Sequence, residues 1–575
     1  MRPRSTRSQA SRSSSSTPRA WKASPPSCGG GSATTFPRAL ARTRRLASLL
    51  LAAVVFSVGA TACDSPPQVV AISPERGAQQ VPSNADVSIR FDRPVDEASV
   101  ASHFSVHPEV SGKVAWTSPA QLVFRHDPFR PSTAYTVRLN GGYRDAAGHV
   151  NSLNHGWSFR TEAAPVLTGS VPAAGEQNVD PAAFVTLAFS RPMDLASLAS
   201  AVSISPAMRF VLRTDPADNR RTVVSPLTIL DPGTSYSVTV TGDARDVDGN
   251  LIASGVTLEF ATGAMRPLRH WVTFSAEGGG TNAGVWVVDE SRLPRQVTPA
   301  PVSDFSWSLD GSHLLLRSPG GTWTDAEVGA GVQDLPFAGD WAAFLAPGLG
   351  YAVLDQEQLQ VFRDGQVEAI DSGVRSVSVS PNGLSLAYAV ATAAGYEVRG
   401  YQVELRSHYR LGQEPARVDS LAWAPDGSKL AYRLASADAG RHLLRVRDLA
   451  GPGGVRTVAI GAVSGPEWQA DSKHLILAAT VLGPQGPVSR AFRVSVSDSA
   501  TIPLTLDAAI PDPSATAVAD PVPSPDGHQV AFLAPDPGGD QVWLMNVDGT
   551  GLHQLTQYDP RSFPYSCKAV SWTRS

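Results

Sequence analysis

Ala422-Trp423-Ala424-Pro425-Asp426-Gly427, followed at once by Lys429-Leu430-Ala431-Tyr432, decides the fold of the C-terminal half. A strand ends on the indole, Pro fixes φ, the Asp carboxylate bonds nearby backbone, and Gly turns the chain back into a second apolar strand. The stretch therefore reads as a hairpin. It recurs as Ser306-Trp307-Ser308-Leu309-Asp310-Gly311 and Pro523-Ser524-Pro525-Asp526-Gly527. Fainter copies are Ser378-Val379-Ser380-Pro381-Asn382-Gly383, Glu467-Trp468-Gln469-Ala470-Asp471-Ser472 and the degenerate Phe344-Leu345-Ala346-Pro347-Gly348. Six copies about 35 to 55 residues apart fit the blades of a β-propeller with variable loops.

Each hairpin is followed by further strands. Val542-Trp543-Leu544-Met545-Asn546-Val547-Asp548-Gly549, ending His553-Gln554-Leu555-Thr556, resembles the TolB-type propeller repeat. Val285-Trp286-Val287-Val288-Asp289 with Arg295-Gln296-Val297-Thr298 is similar to it as well, and the resemblance covers residues 268 to 575. That first segment has outer strands but no inner strand before it, while Ala569-Val570-Ser571-Trp572 is an inner strand with nothing after it. Joining the two ends gives seven blades, or six if Phe344 to Gly348 is not one, and closure removes free sheet edges. Asp310, Asp426, Asp471 and Asp526 fall in separate blades and read as turn formers rather than a metal ring.

Upstream lies a tandem duplication. Phe91-Asp92-Arg93-Pro94-Val95-Asp96 recurs as Phe189-Ser190-Arg191-Pro192-Met193-Asp194, and Pro131-Ser132-Thr133-Ala134-Tyr135 as Pro232-Gly233-Thr234-Ser235-Tyr236. Arg144-Asp145-Ala146-Ala147-Gly148-His149 corresponds to Arg245-Asp246-Val247-Asp248-Gly249-Asn250. Each copy closes on an aromatic strand, Phe159-Arg160-Thr161 or Phe260-Ala261-Thr262. Copies of about 95 residues with alternating strands such as Asp86 to Phe91 and Tyr236 to Thr241 predict two β-sandwiches, over 68–162 and 165–262. Their order of motifs resembles the SbsA-type bacterial Ig-like domain of surface-layer and cell-envelope proteins, which implies a spacer or adhesion-like module and brings no catalytic residues. Asp246, Asp248 and Asn250 allow a calcium loop or a turn held by Asx hydrogen bonds; a carboxylate at the twelfth position of an EF-hand loop is missing, since Thr257 stands there.

The N-terminus reads as an export signal. Residues 1–62 carry ten basic residues and no acidic one, with a basic region at 38–45 and an apolar run from Leu46 to Ala62. The run is shorter than the ~20 residues of a spanning helix. Gly59-Ala60-Thr61-Ala62-Cys63 resembles the lipobox of bacterial lipoproteins, which implies lipid attachment at Cys63, followed by a short linker, 63–67. Cleavage there leaves 38 basic against 52 acidic residues, a net charge of −14, and nucleic acid is excluded as a partner. Of the three cysteines, Cys28, Cys63 and Cys567, one would then stay free.

No G-x-S-x-G, H-E-x-x-H, P-loop or C-x-x-C occurs, and the twelve His residues show no ligand spacing. The expectation is an all-β, lipid-anchored envelope protein, exported to a cell membrane or outer membrane and facing periplasm or exterior. Neither a catalytic residue, a metal nor a cofactor is assigned. The propeller face and central channel would bind another envelope protein or a glycan. The alternative is a propeller enzyme acting on extracellular polysaccharide or peptide, with groups converging from several blades.

Overall fold

The computed structural model describes residues 65–573, apart from 278–282, 292, 437–441, 451–453, 463, 484–485, 505–517 and 560–562. Cys63 and the leader lie outside the described residues. Alternation builds the sandwiches: Val87, Ile89 and Phe91 are buried in Val87–Phe91, as are Val185, Leu187 and Phe189 in Val185–Phe189. In the first module a sheet ordered Val69–Ser73, Val87–Phe91, Gln121–His126, Gly112–Ser118 is paired with Phe104–His107, Ala134–Leu139, His155–Arg160. In the second, Leu167–Val171, Val185–Phe189, Asp218–Pro226, Phe210–Asp215 is paired with Glu176–Val179, Val256–Thr262, Ser235–Val240, Val202–Ser205. Apolar residues of both sheets form one core per module.

The duplicated motifs acquire physical roles. The last Asp of F-x-R-P-[VM]-D is a helix N-cap: Asp96 accepts from the Ser99 amide and Asp194 from the Ser197 amide, both at 3.0 Å. They open the short helices Glu97–His103 and Leu195–Ala201. The hydroxyls of Tyr135 and Tyr236 accept from the Arg130 and Asp231 amides at 2.9 Å. Thr161 and Thr262, which close the copies, donate to the carbonyls of those same two residues at 2.6 Å. Turn and final strand are thereby tied together twice over, in the same way in each copy.

Beyond residue 268 the described residues form seven four-stranded antiparallel sheets. Six are continuous in sequence, over 304–338, 341–372, 374–414, 418–460, 467–503 and 519–554, and are called blades 1 to 6 below. The seventh sheet is composite, with Arg295–Thr298, Gly284–Val288 and Val272–Glu277 from one end and Ser566–Trp572 as the innermost strand from the other. Val272 pairs with Trp572 and Phe274 with Val570. The degenerate Phe344 copy gives a complete blade 2, in which Trp341–Phe344 pairs with Tyr351–Asp355.

Motif tryptophans stitch neighbouring blades. Trp423 donates its indole N–H to the Ser378 carbonyl at 3.3 Å, Trp468 to Ala422 at 3.1 Å and Trp572 to Val522 at 2.9 Å. Each acceptor lies on the innermost strand of the preceding blade; Trp307 instead reaches Thr273 Oγ1 in the composite blade at 3.0 Å. One large side chain thus fills the narrow space between converging sheets and satisfies its polar atom there.

The second sandwich caps the outer strand of the composite blade. The Gln296 amide donates to the Leu227 carbonyl at 2.7 Å, and Thr228 bridges Gln296 in parallel, so that edge is covered by protein. Next to it, fully buried Arg295 places its guanidinium 3.9 Å from the centre of the Phe184 ring.

Candidate functional site

The motif carboxylates serve their own hairpins. Asp310 accepts from the Ser308 and Ser312 hydroxyls, both at 2.7 Å, and these bonds hold its carboxyl down at about 2. Asp426 accepts from the Ser428 amide at 2.9 Å, Asp471 from the Lys473 amide at 2.8 Å and Asp526 from the His528 amide at 3.0 Å. Gly311, Gly427 and Gly527 follow with φ of 72°, 72° and 77°, a region that favours glycine. The four carboxylates stay in four separate hairpins.

A cleft of 800 Å³ opens between blades 3 and 4 beside these hairpins. Asn382, Ser385, Tyr409 and Arg410 line it from blade 3, and Trp423, Asp426, Arg447 and Asp448 from blade 4. Two glycines make the room. A Cβ at Gly400 would lie 2.1 Å from the Tyr409 ring, and one at Gly412 would lie 2.2 Å from the Arg447 guanidinium, so both side chains rest directly on backbone. Close by, the buried Glu414 accepts from the Tyr432 hydroxyl at 2.5 Å and pairs with Arg445 at 2.5 Å, with Arg447 4.0 Å away. The wall is a fixed ion cluster shared by two blades.

A second cavity, of 410 Å³, shares Tyr409 and Arg410 with the first. Arg399 there pairs with Asp371 at 2.7 Å and Glu397 at 2.6 Å, while Arg410 reaches Glu397 at 2.6 Å. Tyr388 donates to Asp371 at 3.1 Å, with His408 Nδ1 2.9 Å from the same hydroxyl. In the larger cleft, hydrogen bonds from Ser428 hold the Asp426 carboxyl below its usual range, and burial pushes the Tyr409 phenol up. Asp426 and Tyr409 each keep one protonation state through neutral pH. That is poor for proton transfer and good for presenting constant charges and donors to a polar ligand.

The innermost strands surround the axis of the ring. At equivalent positions, three residues before Trp307 and Pro523, blades 1 and 6 place Asp304 and Asp520. Desolvation by the surrounding strands raises both carboxyls. Asp520 lines a 190 Å³ recess with Ser464, Glu467 and Val570. Cys567 is fully buried in the composite blade, where burial pushes its thiol up to about 12, leaving it chemically quiet.

The loop read as either calcium ligand or Asx turn has the turn geometry: Asp246 Oδ1 accepts from the Asp248 amide at 3.0 Å and the Asn250 amide at 2.8 Å. It lies where the second sandwich meets the first, and there it holds a cation supplied by the chain. Arg191 pairs with Glu162 at 2.5 Å and with Asp246 and Asp248 at 2.8 Å each. The side-chain Nδ2 of Asn250 donates to Asp246 Oδ2 at 2.9 Å and also to Glu162. Reading the loop alone misses Glu162 and Arg191. The available signals are that Arg191 repeats Arg93 at the same place in the duplication, and that Glu162 follows directly on the closing Thr161.

A family model described as a bacterial Ig-like domain matches residues 64–161 and 162–262. The chain is 28% identical over 182 residues to the Tol-Pal system protein TolB of Erwinia tasmaniensis, a match covering 30% of this chain and 40% of that protein. The chain therefore spans less than half the length of that relative. Among solved structures, TolB from Acinetobacter baumannii superposes with a TM-score of 0.34 at 14% identity, covering 66% of this chain and 86% of that one. Oligogalacturonate lyase from Vibrio parahaemolyticus gives 0.37 at 10% identity, covering 51% and 87%. At such scores the two superpositions bear no weight for function.

Proposed function

We propose that this chain is a lipid-anchored, non-enzymatic binding protein of the bacterial cell envelope. Acylated Cys63 holds it to a membrane, the two sandwiches space the propeller from that membrane, and the cleft between blades 3 and 4 takes a segment of an envelope protein or a glycan. The observation that carries the binding role is the 800 Å³ cleft, in which Tyr409, Arg410, Trp423, Asp426 and Arg447 present aromatic, cationic and anionic groups on a braced wall. The envelope setting is supported by the bacterial Ig-like match and by partial similarity to TolB, a protein named for the Tol-Pal system.

The test is expression with the native leader, followed by membrane fractionation and intact mass of wild type, Cys63→Ala and Arg410→Glu. Wild type should sediment with membranes and begin at a diacylated Cys63, and Cys63→Ala should lose the acyl mass. Immobilised wild type should retain an envelope protein or glycan that Arg410→Glu releases. A soluble, unmodified wild type overturns the anchor. Turnover of polysaccharide or peptide by the purified chain replaces the binding reading with the enzymatic one.

A further inference from the structure

The contact between the sandwiches combines groups from both modules. Glu162 belongs to the first by its backbone, since its amide donates to Val81 and its carbonyl accepts from Ser132. Its carboxylate crosses to Arg191 and Asn250 of the second. Ser83 of the first module adds a longer contact to the Asp248 carbonyl, at 3.4 Å. Glu162, Asp246 and Asp248 each offer a carboxylate oxygen within 4.8 Å of the others, the arrangement a hard divalent cation would use. The centre is not open to one, because the Arg191 guanidinium reaches all three carboxylates.

We infer that Arg191 is a built-in cation that locks the two sandwiches into one rigid unit without metal, and that removing it converts the joint into a divalent-cation site. A planar guanidinium suits this role better than an ammonium, because its Nε meets Asp246 while its Nη2 meets Asp248 and, in the other module, Glu162. Guanidinium and metal would need the same carboxylate oxygens, so wild type has no vacancy for calcium. Once the guanidinium is gone, three crowded carboxylates repel one another and the joint opens unless a cation enters.

The experiment uses the full chain, scanned calorimetrically in EDTA and in millimolar calcium chloride, with elastase cleavage after Ala163, an exposed residue of the joint. Wild type should melt identically in both buffers and resist cleavage. Arg191→Gln should lower the first transition by about 10 °C in EDTA and be cut at least about tenfold faster, with calcium restoring both. Arg191→Lys, which keeps the charge, should fall between them and gain little from calcium. A calcium-dependent shift in wild type that Asp248→Ala abolishes overturns the inference, and that arm stands even where Arg191→Gln does not fold. A folded Arg191→Gln chain with wild-type melting and cleavage in EDTA overturns it as well.

Discussion

The two sandwiches began as one sequence and now do different work at the same turn. In the first, Asp145 Oδ1 accepts from the Ala147 and His149 amides at 2.9 Å each, and Oδ2 meets His149 Nδ1 at 2.9 Å. In the second, Asp246 keeps both backbone bonds but turns its other oxygen to Arg191 and Asn250, with Asp248 in place of Ala147. Arg93, the sister of Arg191, pairs with its neighbour Asp92 at 2.9 Å and with the Ser65 carbonyl at 2.9 Å. Duplication preserved the backbone device and left the outward side chains free to become a joint.

The comparison is broken most directly by removing both arginines in turn. Arg191→Ala should destabilise the chain by about 3 to 5 kcal/mol, as loss of one partner of a buried ion cluster does, and Arg93→Ala by at most about 1 kcal/mol. Equal losses in denaturant titration would mean the joint adds nothing beyond an ordinary surface pair. The shared helix caps should behave alike instead: Asp96→Ala and Asp194→Ala are each expected to remove about 1 kcal/mol.

Acid sharpens the contrast further. Asp145 is pushed up by burial, but its bonds from His149 and Ala147 outweigh that and hold it low, so its stabilisation is present above the unfolded Asp value of about 3.9 and fades as pH falls through the folded one. Glu162 is raised by burial, so its contribution has the opposite sign, being present below the unfolded Glu value of about 4.3 and lost as pH rises through the folded one. Glu162→Gln should therefore make stability fall more steeply on acidification, measured by urea midpoints across that range. The smallest effect belongs to Ala147→Asp. Restoring the missing carboxylate to the first copy should change stability by less than about 0.5 kcal/mol, since its arginine is already engaged by Asp92 and Ser65.

What sequence made legible follows from where the constraint sits. Asp426 and Gly427 announce their hairpin because each is needed by a contact within a few residues, Asp426 by the Ser428 amide and Gly427 by the Ala424 carbonyl. The inward residues of Val87–Phe91 announce their face by alternation. The cleft announces nothing, because Tyr409, Trp423 and Arg447 come from strands of two blades, and Tyr409 and Arg447 rest on side-chain-free backbone at Gly400 and Gly412. Glu162 and Arg191 are hidden for the same reason: they meet Asp246 across a module boundary. Arg295 reads as part of a strand pattern, and only the packed molecule puts Phe184 of another domain against it.

The composite blade sets an order of events. Each sandwich can finish once its own hundred or so residues are available, but the ring closes only when Ser566–Trp572 adds to Val272–Glu277, a pairing across nearly three hundred residues. Until then the chain carries an open sheet edge, and a newly synthesised molecule must be kept from pairing with another copy. Closure also buries the Cys567 sulfur completely. Pulse labelling of that thiol during refolding should therefore act as a clock for the last step: reactivity persists after the sandwich signals have settled and vanishes as the ring shuts.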